Sequence, residues 1–195
     1  FCLSRGLGDV YKRQIVASAT LTRHELDFVA QVRGETPWIL ENTYTANSYP
    51  IELFSGQAGE KGSLSKARAT VTDRMIAAIK TGKRIIVATD TLRNSKAIAL
   101  VGESLGLSPH QILRFDRETS AEDLQREFAD RPDEFLDRND IRLMVHSPSL
   151  TSGVSIEGDH FDCVFGLFEG QTITPDDVLQ ALARVRKPIP RIVYV

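Results

Sequence analysis

The strongest constraint on how this chain can fold is an alternation of patterns. From residue 65 onward, short apolar runs take turns with amphipathic stretches of helical length. The first helical stretch is 65–81, with Ala69, Val71, Met75, Ile76 and Ile79 as its apolar set and Gly82 as its stop. The next are 95–105, closed by Gly106, and one that opens at 120–123 and carries Leu124 and Phe128. A last one is opened by Thr174, with Pro175 at its first position and Asp176 and Asp177 in its first turn. A capping threonine, an early proline, an acidic first turn and a glycine stop each fit a helix end. Strand-like runs at 84–88, 111–115, 141–145, 161–167 and 191–195 lie between these helices or beside them. Strands alternating with helices of this length predict an α/β fold, a parallel sheet with helices on both faces. Such sheets bind ligands at the carboxyl ends of their strands. The residues that follow each run are therefore the ones to inspect.

The earlier part of the chain is less regular. Residues 15–20, Ile-Val-Ala-Ser-Ala-Thr, read as a short buried strand. Thr22 and Glu25 form a capping-box pattern. The helix it opens carries Leu26, Phe28, Val29 and Val32 and stops near Gly34. Residues 38–40 and 49–54 read as extended, and the glycine-rich polar stretch 55–63 as a loop. Residues 9–14, Asp-Val-Tyr-Lys-Arg-Gln, are what GAT-GTG-TAT-AAG-AGA-CAG encodes, which resembles the end of a transposon-based sequencing adapter. Residues 1–14 are accordingly read as an adapter-derived segment outside the fold. There Arg5, Lys12 and Arg13 outnumber Asp9 by two, so the rest of the chain carries −4 against −2 for the whole.

Composition sets limits. The 195 residues suit one α/β domain with a little to spare, and no apolar run approaches the roughly 20 residues of a membrane-spanning helix. Cys2 and Cys163 are the only cysteines and lack metal-ligand spacing, so a disulfide framework is not implied and a reducing cytoplasm is the expected location. The acidic balance argues against a duplex-coating protein, whose affinity comes from many Lys and Arg contacts to phosphate. His24, His110, His146 and His160 are scattered, which implies no metal site.

Four groups of residues carry chemistry. Gln180 and Arg184 are four apart, so on a helix they share a face. An arginine's planar fork binds phosphate bidentately and keeps its charge. The same pattern also fits an amphipathic helix with solvated arginines. The 147–155 segment follows a strand and holds Ser147, Ser149, Thr151, Ser152 and Ser155 around Gly153. Hydroxyls and exposed amides can bind phosphate oxygens without a cationic side chain, although a solvated turn has the same composition. Thr89, Asp90 and Thr91 follow another strand, at a place where a helix N-terminus can hold a phosphate. The plainer alternative there is a helix cap by Asn94 or Ser95. Ser18, Ala19 and Thr20 end the first short strand.

In order along the chain, Ser18-Ala19-Thr20, the strand and loop at 84–91, the 147–155 loop and the 180–186 segment resemble motifs III, IV, V and VI of superfamily 2 helicases. More narrowly, the segments SPSLTSGVSIEG, FDCVFGLFEG and QALARVRKP resemble the helicase portion of plasmid replication proteins typical of cyanobacteria, which pair primase-like and helicase-like domains. The origin-binding helicases of herpesviruses are more distantly similar.

The resemblance implies a RecA-like C-terminal helicase lobe over 64–195, a connector over 35–63 and the end of a first lobe over 15–34. It implies ATP and Mg²⁺ as cofactors, held mainly by a first lobe outside this sequence, and DNA, single-stranded or forked, as the partner. A primase domain in the same protein is a further implied neighbour. Gln180 and Arg184 match the residues that face the ATP γ-phosphate, with Arg186 as the second arginine. Lys187 stands where that second arginine commonly falls, and Pro188 disfavours helical geometry there. Gly153 and Ser155 match nucleotide-linked positions. Ser147, Ser149, Thr151 and Thr89 match positions on the nucleic-acid backbone, and Ser18, Ala19 and Thr20 a coupling motif. No G-x-x-x-x-G-K-[ST] occurs and no acidic quartet precedes Ser18. The chain alone is therefore expected neither to bind ATP tightly nor to hydrolyse it. The rival expectation is a DNA-binding replication-initiator module without catalysis.

Overall fold

The computed structural model describes residues 22–40, 49–57, 59–150, 153–170 and 173–195. The chain divides into two compact units, 1–45 and 46–195. In the first, the described residues form α1 (Arg23–Arg33) and the stretch that follows it. Thr22 and Glu25 make the expected capping box, and Gly34 closes the helix in the left-handed conformation. The strand expected at 15–20, with Ser18, Ala19 and Thr20, lies outside the described residues. Residues 38–40 form no strand.

The second unit is a six-stranded, all-parallel sheet in the order β1-β6-β5-β2-β4-β3. The strands are β1 (Ile51–Phe54), β2 (Ile85–Thr89), β3 (Ile112–Phe115), β4 (Leu143–His146), β5 (Cys163–Leu167) and β6 (Arg191–Tyr194). The helices are α2 (Ser63–Lys80), α3 (Leu92–Ser104), α4 (Asp123–Asp130), α5 (Pro132–Arg138) and α6 (Pro175–Leu182). β1 is the edge strand beside β6, within the stretch read from sequence as a connector.

The period of two along each strand splits the core cleanly. Ile85, Val87, Leu143, Val145, Cys163 and Phe165 pack under α2 and α3, through Val71, Met75 and Ile98. Ile86, Ala88, Leu113, Met144, Val164 and Val193 pack on the other face, against Phe128, Phe135, Leu136 and Leu182 of α4, α5 and α6. Chain direction across the sheet reverses after β3. The connecting helices change face at the same step, as one crossover hand requires. The fold class expected from sequence, a parallel α/β sheet with helices on both faces, is the one observed.

Three local expectations are corrected. α3 starts at Leu92 and is capped by Thr91, whose hydroxyl accepts from the Asn94 amide at 3.2 Å. Asn94 and Ser95 instead turn inward, Asn94 to Glu169 at 3.2 Å and Ser95 to Asp116 at 2.8 Å. The helical stretch from 120 begins at Asp123 and is followed by a second short helix, α5, with Pro132 at its start. α6 ends at Leu182, so Arg184 is not on the helix that carries Gln180. The cause is tertiary: Val185 forms a parallel bridge with Ile156, through Ile156 N–H to Arg184 O at 2.8 Å and Arg186 N–H to Ile156 O at 2.9 Å. Gly166 sets how closely α6 sits on the sheet. A Cβ there would lie 2.7 Å from the Phe168 ring and 3.2 Å from Leu182 Cδ2.

Candidate functional site

β4 ends at His146, and the chain leaves the sheet through Ser147, Pro148, Ser149 and Leu150. Backbone bonds fix this exit: Ser147 N–H donates to Phe115 O at 3.0 Å, and Leu150 N–H to Ser147 O at 3.1 Å. Further on, Gly153 adopts a φ of 105°, a conformation that favours glycine. Leu150, Val154 and Ile156 are buried and anchor the loop from below. The polar residues alternate with them. Ser147 is buried, while Ser149 and Ser155 are half-buried. Thr151 lies outside the described residues.

α6 approaches from the other side. Thr174 and Asp177 form a capping box that fixes its first turn. Past its last turn, Arg184 reaches across to the loop, with Nη1 on Val154 O at 3.0 Å and Nη2 on Leu150 O at 3.2 Å. Its Nε is buried and has no hydrogen-bond partner among the described residues. The loop and the end of α6 are thereby one unit. Between them lies a cleft of about 200 Å³, lined by His146, Ser147, Leu150, Asp177, Gln180 and Arg184.

The electrostatics follow from burial. His146 is 1% exposed, and its Nε2 has no hydrogen-bond partner among the described residues. Burial, and then the charge of Arg184, push its pKa down to about 4, against a smaller opposing hydrogen bond with the Ser147 backbone. His146 is thus neutral near pH 7. Burial, and next the nearby charge of Arg186, lower the Arg184 pKa from its ordinary value. An arginine starts so high that it keeps its charge.

The two candidates for the second arginine separate. Lys187 is paired with Asp159 at 3.2 Å. Arg186 is exposed and makes no ion pair with a described residue. Its carbonyl accepts from the Tyr49 hydroxyl at 3.1 Å.

Thr89 departs from its expected place. It is the last residue of β2, paired with Leu167 and 1% exposed, so its hydroxyl does not face solvent. The cause is that β2 is a central strand, covered on both faces. The neighbouring Asp90 had no assigned role in the sequence, yet it organises this edge. Its Oδ2 accepts from the Glu169 and Gly170 amides at 2.9 and 3.0 Å, joining the ends of β2 and β5. Glu169 also pairs with Arg68 at 3.4 Å. A lone Asp after a strand carries no sequence signal for this link. Among the described residues, no cluster of His, Cys, Asp and Glu could hold a metal ion, and no helix is long and apolar enough to cross a membrane.

No protein-family model matches the chain. No curated protein matches it. Among solved structures it is similar to the C-terminal part of the Fun30 ATPase domain, with a TM-score of 0.48 and 16% sequence identity, over 66% of this chain. The chain spans 41% of that structure's length.

Proposed function

We propose that residues 46–195 are the second RecA-like lobe of an ATP-dependent DNA helicase or translocase of the superfamily 2 type, working within a longer protein in plasmid or mobile-element replication. The observation that carries this is the union of two motif-like segments at the carboxyl edge of a parallel sheet. Arg184 ties the hydroxyl-rich loop after β4 to the turn after α6, and Arg186 stands exposed beside it. Order along the chain supports the same assignment, since both segments fall where the helicase resemblance puts motifs V and VI.

In this role Arg184 and Arg186 supply positive charge to a nucleotide whose triphosphate and Mg²⁺ are held mainly by another lobe. The metal would neutralise charge on the transferring phosphoryl group. This chain offers Mg²⁺ no ligand cluster among its described residues, but its arginines suit the γ-phosphate. An arginine from a second domain stabilises charge on the equatorial oxygens without chemistry of its own. Gln180 lines the same cleft and orients the approach. Ser147 and Ser149 lie on the loop that would meet a DNA phosphate through hydroxyl and amide groups. Gly153 and Ser155 shape its far side.

A second role has one specific observation in its favour: the Arg184 fork is already engaged by Leu150 O and Val154 O. That suits a lobe kept for DNA binding alone, with Arg184 as a purely structural clamp. ATP hydrolysis separates the two. The longer protein is expected to hydrolyse ATP faster when single-stranded DNA is added, and residues 1–195 alone to show no hydrolysis above background. No DNA-stimulated hydrolysis by the longer protein would favour the binding module.

A further inference from the structure

Arg191 opens β6 and is 1% exposed, the largest of the fully buried side chains. It makes no ion pair with a described acidic residue. Instead its guanidinium fans over backbone carbonyls. Nε donates to Leu182 O at 3.1 Å, Nη2 to Val185 O at 2.6 Å and Nη1 to Ile189 O at 2.7 Å. Both terminal nitrogens also lie 3.4 Å from Lys187 O.

A buried cation without a counter-ion is costly, and complete hydrogen bonding is what offsets that cost. Here the acceptors are the carbonyls left open at the end of α6 and along the turn that follows, where the helix dipole is negative. Five N–H donors in a fixed plane can serve acceptors spread over 182–189 at once. A lysine has three donors on one atom and cannot.

The outer face of this guanidinium is covered by Tyr49, whose ring centre is 3.8 Å from Arg191 Cζ. Tyr49 also donates its hydroxyl to Arg186 O at 3.1 Å. The Arg191 amide is bonded to Pro50 O at 3.1 Å. Tyr49 lies two residues before β1, within the 46–195 unit. One ring therefore touches both the buried cation and the backbone of the exposed arginine, beside the start of β1.

Resting on the function proposed above, we propose that Arg191 and Tyr49 are positioning residues for the arginine turn. Arg191 shapes residues 183–190 from inside, which sets where Arg184 and Arg186 stand. Tyr49 links that turn to the entry of β1, so a shift there reaches Arg186 through a single hydrogen bond and a ring stack.

Amide hydrogen exchange in residues 1–195, with Tyr49→Leu, Tyr49→Phe and Arg191→Lys, tests this locally. The Ile156 and Arg186 amides report the bridge that holds the turn, and Val87 and Phe165 report the sheet. Tyr49→Leu is expected to speed exchange at Ile156 and Arg186 by about 10-fold, with Val87 and Phe165 changed less than about 2-fold. Tyr49→Phe, which keeps the ring, is expected to restore most of the protection. Arg191→Lys is expected to act like Tyr49→Leu or more strongly. If it fails to fold, the Tyr49 pair still decides. Unchanged exchange in Tyr49→Leu, or equal acceleration at all four amides, would overturn the proposal.

In the longer protein, Tyr49→Leu is expected to lower kcat for ATP hydrolysis by about 10-fold at unchanged KM, with rescue by Tyr49→Phe. Arg184→Ala is the control for the function itself. If it lowers kcat and Tyr49→Leu does not, the positioning role is wrong. If Arg184→Ala has no effect, the helicase assignment fails, and the exchange data alone decide whether Tyr49 and Arg191 set the turn.

Discussion

Arg184→Ala in the longer protein is expected to lower kcat for DNA-stimulated ATP hydrolysis by about 10³-fold, with kcat/KM for ATP falling in step. That pattern marks an interaction made in the transition state rather than in substrate binding. Arg186→Ala is expected to do the same, since Arg186 is the exposed member of the pair. The two variants should differ toward DNA. Arg184 also holds Leu150 O and Val154 O, so its loss leaves the loop after β4 without its clamp. The DNA concentration needed for half-maximal stimulation is expected to rise in Arg184→Ala and to stay near wild type in Arg186→Ala. Arg184→Lys keeps the charge but cannot bridge two carbonyls, and should resemble Arg184→Ala in the DNA titration. Wild-type kcat in both alanine variants would leave Arg184 a structural clamp and move the assignment to the binding module.

Acid sensitivity is expected to come in large part from His146. Its pKa is about 4 in the folded chain, against 6.5 when free. A base with a lowered folded pKa is protonated more readily when unfolded. Its contribution is therefore fully present above pH 6.5 and is lost as pH falls toward 4. A separation of that size corresponds to at most about 3 kcal/mol. The groups facing it in the cleft are Arg184, which adds to the effect, and Asp177, which lines the same space. His160, also lowered by burial, pulls the same way. The decisive quantity is thus the difference between wild type and His146→Asn in urea unfolding at pH 7 and pH 4.5. The wild type is expected to lose up to about 3 kcal/mol more than the variant on acidification. Equal losses would mean that His146 is not held neutral by its surroundings.

Local signals were legible in the sequence wherever the cause of a structure is local. The Thr22–Glu25 and Thr174 caps, with Pro175 behind the second, stand where their side-chain patterns put them. Strand–helix alternation was enough to give the parallel sheet. Long-range causes were not legible. The segment from Gln180 to Arg186 is made of good helix formers and reads as helix throughout. It stops at Leu182 because Ile156, distant in sequence, bridges the strand-like Val185, and Arg191, nine residues on from Leu182, takes up its last carbonyls. Thr89 read as a loop residue because nothing nearby in sequence shows that β2 is central. The pairing of Lys187 with Asp159, 28 residues away, was likewise not legible. Arg191 carried no signal at all. An arginine at the start of a strand looks solvent-exposed until the carbonyls of the preceding turn are seen around it.

The central claim is that the arginine turn completes a nucleotide site and the loop after β4 meets DNA. The most direct measurement is a structure of the longer protein with ADP–beryllium fluoride and single-stranded DNA. The predicted result is an Arg184 or Arg186 guanidinium within about 3 Å of the γ-phosphate mimic, with Ser147 or Ser149 against a DNA phosphate. Both arginines turned away from the nucleotide, with Arg184 still bonded only to Leu150 and Val154, would contradict it.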